Sequence, residues 1–181
     1  FEIVRDLGLP LVVHAEDRDV IEYWERRIAE RAGEEHGEPR ALDCDYAAFL
    51  ASRPRFGEAA ATQTVCLLAA MTDTPVHIAH VSIAEAVAVI RQAKAAGAPV
   101  SAETCPPYLT MTAADCRRLG PLSKILPPIR HSADQDALWR GLHDGVIDII
   151  ATDHAPHEPA VKAGPSWMEA AGGMIGVQTM L

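Results

Sequence analysis

The 181 residues predict an α/β fold in which parallel strands alternate with helical crossovers, and three observations carry that expectation. Four short apolar runs rich in Val and Ile recur along the chain: Leu9-Pro-Leu-Val-Val-His-Ala-Glu16, Pro75-Val-His-Ile-Ala-His-Val-Ser82, Pro99-Val-Ser-Ala-Glu-Thr-Cys-Pro106 and Ile147-Asp-Ile-Ile-Ala-Thr-Asp-His154. Runs this short, each preceded by Gly or Pro, suit buried parallel strands. Helical patterns fill the intervals, and every run ends in polar residues. Strand alternating with helix folds as a parallel sheet with right-handed connections.

Taken in order, Phe1 to Gly8 reads as the middle of a helix, and Leu9–Glu16 is the first strand. Asp19–Arg31 has a helical pattern, and Glu58–Met71 has another. After the strand at Pro75–Ser82, the stretch from Ser82 to Gly97 opens on a Ser N-cap. Glu85, three residues on, completes a capping-box pattern, and the helix stops at Gly97. Pro99–Pro106 is the third strand. Ala133–Asp144 forms a further helix ended by Gly145, ahead of the fourth strand. Phe1 is not an initiator Met, and Gln178-Thr-Met-Leu181 also reads as helix interior, so the expectation is a segment of a longer chain.

Hydrophobic residues make up 49% of the chain and the mean hydropathy is +0.03, which describes one soluble globular domain over residues 1–181. A net charge of −9 and a pI near 5.3 argue against nucleic acid and anionic membranes as partners. Glu34, Glu35 and Glu38 form an acidic segment expected to be solvated. No apolar run approaches the roughly 20 residues that span a bilayer. Cys44, Cys66, Cys105 and Cys116 form no Cys-x-x-Cys pair and read as reduced thiols of a cytoplasmic protein.

Polar groups at strand carboxyl ends are where a (β/α)8 barrel assembles its active site. An open doubly wound sheet binds ligands there too, but no Gly-x-Gly-x-x-Gly or Walker loop follows any strand. His14, His80 and Asp153 end three of the runs and are suitable metal ligands. A lone strand-end His more often satisfies a local hydrogen bond; three such residues on separate units shift the balance. His77 lies three residues before His80, hence on the opposite face, and reads as structural. Asp153 can accept a proton from an attacking water or simply cap the turn that follows. His157, behind Pro156, can reach a substrate, and His154 can support a metal ligand.

His14-Ala-Glu-Asp17, His80-Val-Ser82, Glu103-Thr-Cys-Pro106, Pro127-Pro-Ile-Arg130 and Ala151-Thr-Asp-His-Ala-Pro-His157 occur in this order over nearly the whole chain. Together they resemble the cyclic amidohydrolases of the dihydroorotase, allantoinase and hydantoinase group. The resemblance implies a (β/α)8 barrel, present here as about four βα units matching strands 5–8. It also implies a binuclear zinc site that hydrolyses a cyclic amide. On that likeness, His14 and His80 hold one metal, while Asp153 holds the other and acts as general acid/base on metal-bound water. His157 matches a substrate-contacting His of dihydroorotases. Leu126 and Ala171-Gly172-Gly173-Met174 fall where the family contacts the substrate ring.

The signals within the group diverge. Asp153-His-Ala-Pro-His157 is dihydroorotase-like, whereas Phe49-Leu-Ala-Ser-Arg-Pro54 and Glu103-Thr-Cys-Pro106 resemble allantoinase. Pro107 replaces the frequent His after Cys-Pro. Leu126 replaces the Asn of dihydroorotases or the Ser of hydantoinases, and it cannot hydrogen-bond a ring amide. The His-x-His pair of the family's first strand and its carboxylated lysine do not occur; the lysines are Lys94, Lys124 and Lys162. A half barrel leaves two sheet edges and an apolar inner face open, so a homo-oligomer is expected, with little activity from this segment alone. The alternatives are allantoinase or hydantoinase specificity, a non-catalytic dihydroorotase-like scaffold, and a purely structural α/β domain.

Overall fold

The computed structural model describes residues 1–34, 42–162 and 166–180. The acidic positions Glu35 and Glu38, the side chain of Glu34 and that of Cys44 lie outside what is described. Each apolar run supplies a strand: β1 (Leu11–Val13), β2 (Val76–Ile78), β3 (Val100–Thr104) and β4 (Ile149–Ile150). The sheet order is β1-β2-β3-β4, with every pair parallel. Leu11 stands opposite Val76, Val76 opposite Val100, and Glu103 opposite Ile149. Strands placed in chain order, with helices packed on one side, form an open arc of a (β/α)8 barrel.

Helices α1 (Glu2–Asp6), α2 (Arg18–Glu34), α3 (Leu42–Ser52), α4 (Arg55–Thr72) and α5 (Ala84–Ala95) occupy the first two crossovers and their approach. Helices α6 (Pro106–Thr110), α7 (Ala113–Leu119) and α8 (Ser132–His143) lie between β3 and β4, and α9 (Pro159–Lys162) follows β4. Val76, Ile78, Val100 and Ala102 point into a core shared with Val65 and Ala69 of α4, Ile90 of α5 and Leu138 of α8. This is the apolar face of the sheet pressed on amphipathic helices.

The opposite face carries Val12, His77, Ser101, Glu103 and Ile149, as register and alternation dictate. It departs from the apolar inner face expected from sequence. Val12 and Ile149 are 63% and 48% exposed, whereas the centre is polar. His77 Nδ1 lies 2.8 Å from Ser101 Oγ, and its Nε2 lies 3.0 Å from Glu103 Oε2. Neighbouring strands thus satisfy each other's polar side chains, and only the rims are apolar.

One cap is also corrected. Helix α5 starts after Ile83, and Ser82 does not cap it. Ser82 instead gives its backbone N–H (3.0 Å) and hydroxyl (2.6 Å) to the Glu58 carboxylate, while Glu85 accepts from Arg55 Nε at 2.9 Å. A buried carboxylate on α4 outcompeted the local cap. The sequence reading also starts α4 three residues late: Pro54 precedes it in extended conformation, so the helix begins at Arg55.

Candidate active site

His14 follows β1 directly, His80 lies two residues beyond β2, and Asp153 three beyond β4. Strict alternation past Ile78 would turn His80 toward the helices. Its φ of 39° breaks the alternation, and Asp153 has a φ of 42°. A left-handed conformation at a non-glycine residue costs about 1–2 kcal/mol and concentrates at functional positions. No sequence pattern announces it. The result is that His14 Nδ1 and His80 Nε2 face each other at 2.9 Å. The far nitrogen of His14 meets Glu16 Oε2 at 3.0 Å, and the same oxygen accepts Arg53 Nη1 at 2.6 Å.

His80 is buried, and its Nδ1 has no hydrogen-bond partner. Burial, then the neighbouring His14, push its pKa below the ordinary imidazole value, with the Asp153 and Glu16 charges opposing. At neutral pH it is therefore an uncharged ring with one protonated nitrogen and one lone pair. Two imidazole nitrogens on one tetrahedral zinc, with Zn–N bonds of about 2.0–2.1 Å, stand roughly 3.3 Å apart. To accept the ion, the facing pair opens by a few tenths of an ångström and the proton between the two nitrogens leaves. Among the described residues, no three of His, Cys, Asp and Glu stand close enough to complete a ligand set. The fit is that of two ligands of an ion, with Asp153 near enough for its charge to act on His80.

The four sequence-predicted substrate residues also come together. His157 Nε2–H donates to Gly172 O at 3.0 Å. A methyl group on Gly172 would sit 2.8 Å from Leu126 Cγ, so the glycine admits Leu126 against its backbone. Gly173, at φ 130°, passes so near Ala155 that an added Cβ would lie 2.6 Å from the alanine Cβ and 3.3 Å from His157 Nε2. A cavity of about 290 Å³ opens beside them, lined in part by His157, Lys162, Gly173 and Met174. Lys162 Nζ donates to the carbonyls of Lys124 (2.8 Å) and Gly173, bracing the glycine segment from behind.

His154 Nδ1 accepts the backbone N–H groups of Gly176 (3.1 Å) and Val177 (3.2 Å) and pins the C-terminal segment. Sequence reasoning missed Arg53, Glu16 and Glu58 as site supports. Glu58 is 3% exposed and its pKa is raised to about 7, because burial outweighs the Ser82 hydrogen bonds and the Arg130 charge. The motifs named Glu16 and Arg53 without roles; only the folded chain, which pairs them across distant segments, joins them.

No protein-family model matches the chain. An allantoinase of Solibacter usitatus is 37% identical over 175 residues, which cover 97% of this chain and 36% of that protein. A dihydroorotase of Syntrophotalea carbinolica is 38% identical over 182 residues, 99% of this chain and 39% of the other. The solved structure of L-hydantoinase (dihydropyrimidinase) from Arthrobacter aurescens superposes with a TM-score of 0.86 at 32% identity, over 98% of this chain and 38% of that one. The chain therefore spans between 36% and 39% of the length of these relatives.

Proposed function

The chain belongs to the cyclic amidohydrolase family and has the architecture of part of its (β/α)8 barrel; from that premise we propose that it serves, as one domain over residues 1–181, the zinc-dependent hydrolysis of a cyclic amide C–N bond. The observation that carries this reading is the pair of facing nitrogens, His14 Nδ1 and His80 Nε2, at 2.9 Å beside the Asp153 carboxylate. When bound, zinc would polarise the amide carbonyl and acidify a water.

The side chains then divide the work. His14 and His80 hold one ion, and Asp153 belongs to the second. Asp153 accepts one proton of the attacking water and returns it to the ring nitrogen as the C–N bond breaks, leaving a free NH2 group and a carboxylic acid that ionises to solvent. The ring rests on the backbone of Gly172 and Gly173, with His157 as a hydrogen-bonding partner. Leu126 offers only van der Waals contact there, so recognition of ring amides falls to the glycine backbone. The relatives' names put dihydroorotate, allantoin and hydantoins forward as substrates. The reading includes a homo-oligomer in the cytoplasm with no nucleic-acid partner. Buried free thiols at Cys66, Cys105 and Cys116 support the compartment, and no helix among the described residues is long and apolar enough to cross a membrane.

A second reading, a non-catalytic scaffold, is favoured by the incomplete ligand set among the described residues. A chimera separates the two: this chain replaces the matching segment of the Solibacter usitatus allantoinase, and zinc content and hydrolysis of the three substrate types are measured. Two zinc ions and turnover of one substrate are expected, with turnover lost in Asp153→Asn. A folded chimera that holds zinc and opens no ring would leave the scaffold reading standing. The unassisted chain is expected to show little turnover, and full activity from it alone would contradict the division of ligands.

A further inference from the structure

We propose that Glu16 and Arg53 are positioning residues for His14: they fix its proton on Nε2, so that Nδ1 presents a lone pair to a divalent cation shared with His80. This inference rests on the reading of His14 and His80 as ligands of one ion.

The geometry leaves little choice of tautomer. A carboxylate paired with a guanidinium stays ionised and only accepts hydrogen bonds. Glu16 Oε2 accepts from Arg53 Nη1 at 2.6 Å, so the His14 Nε2 at 3.0 Å from the same oxygen must carry the hydrogen. Nδ1 of the neutral ring is then bare, and it is the atom that faces His80. In the metal-free protein, His80 Nε2–H donates into that lone pair. This agrees with a His80 Nδ1 that is buried and unpartnered. Cation binding then requires His80 to move its proton to Nδ1, whereas His14 is already in the binding tautomer.

The support behind His14 is rigidly held. The Glu16 and Arg53 side chains are 3% and 14% exposed. Arg53 occupies the short link between α3 and α4, and its carbonyl accepts Arg130 Nη2 at 2.6 Å. Two sequence segments with no role so far, Phe49–Pro54 and Pro127–Arg130, thereby acquire one. Arg130 holds Arg53, Arg53 holds Glu16, and Glu16 orients the imidazole. Groups that orient a ligand in this way typically contribute 10–100-fold to metal affinity.

The test uses the chimera described above in its metal-free form, labelled with ¹⁵N at histidine and then titrated with zinc against a chromophoric chelator. Wild type should show His14 as the Nε2–H tautomer and His80 as Nε2–H, the latter switching to Nδ1–H on zinc addition. Glu16→Gln, whose amide can donate to Nε2, should populate the other His14 tautomer and weaken zinc binding about 10–100-fold. Arg53→Met should act in the same direction, and Arg53→Lys should retain most of the affinity. Far-UV circular dichroism identifies any variant that fails to fold, and the near-isosteric Glu16→Gln and Arg53→Lys then decide. A wild-type His14 protonated on Nδ1, or zinc affinity unchanged in both Glu16→Gln and Arg53→Met, overturns the proposal. A wild-type chimera that takes up fewer than two zinc ions overturns the metal reading and the cation half of this inference, while the tautomer spectrum separately decides the ring-orienting half.

Discussion

Glu58 shows at the residue scale how a single buried charge sets pH behaviour. It accepts both Ser82 donors and lies near Arg130 and Glu16, yet burial lifts its pKa to about 7 from an ordinary 4.5. A carboxyl whose folded pKa is raised binds its proton more tightly in the native state. Its contribution is therefore full below about pH 4.5 and is lost as pH climbs through 7. Replacing it with Gln removes that slope. Glu58→Gln should match wild type in urea unfolding at pH 5 and exceed it by about 2–3 kcal/mol at pH 8; a difference that ignores pH would refute this. Gly173 supplies a second test. With φ at 130° and Ala155 beneath it, Gly173→Ala combines strain with overpacking and should cost about 2–4 kcal/mol in the same measurement. The sequence marks His14, His80, Asp153, His157, Leu126, Gly172 and Gly173 as candidates through strand ends and motif order. Glu16, Arg53 and Glu58 stayed hidden because their meaning lies in pairings between distant segments.

Elements were legible where local chemistry and tertiary packing agree. The four strands are announced by apolar runs behind Gly or Pro, and each is found. Gly97 and Gly145, at φ 83° and 70°, follow the ends of α5 and α8 as their positions suggest. Helix α3 was not legible: Leu42–Ser52 has no clear apolar stripe, and it folds because Phe49 stacks on, and Tyr46 packs tilted against, the buried Trp167 from the far end of the chain. The start of α5 was misread for a similar reason. Asp134 of α8 accepts the N–H of Ala84 at 3.0 Å, and Arg55 of α4 bridges Asp134 (2.7 and 2.8 Å) and Glu85. Three helices thus share one guanidinium. Removing one partner of a buried ion pair costs about 3–5 kcal/mol. Arg55 is 34% exposed, which reduces that figure, so Arg55→Met should lose about 2–3 kcal/mol in thermal or urea unfolding. Arg91→Met, breaking the exposed pair with Asp144, should lose much less. Equal losses would mean that the position of Arg55 between helices has no special weight.

For the whole molecule, the determining fact is that an arc of barrel keeps two edges. A closed barrel satisfies every strand's backbone groups with a neighbour, whereas β1 and β4 each have one partner strand among the described residues. The apolar rims of the inner face coincide with those edges: Val12 on β1 is 63% exposed and Ile149 on β4 is 48% exposed. Unpaired N–H and C=O groups beside exposed β-branched side chains template pairing with another strand. Two arcs meeting edge to edge would cover both rims. The polar His77–Ser101–Glu103 centre needs no such cover, because it is internally bonded. The chain should therefore self-associate through these edges, and light scattering at micromolar concentration should give a dimer or larger species. Placing a charge on each rim, as Val12→Lys with Ile149→Lys, should shift the population toward monomer without unfolding the helical layer, since neither side chain belongs to the core. A well-folded wild-type monomer in dilute solution would show that the arc closes its edges by itself, and the self-association argument would then fail.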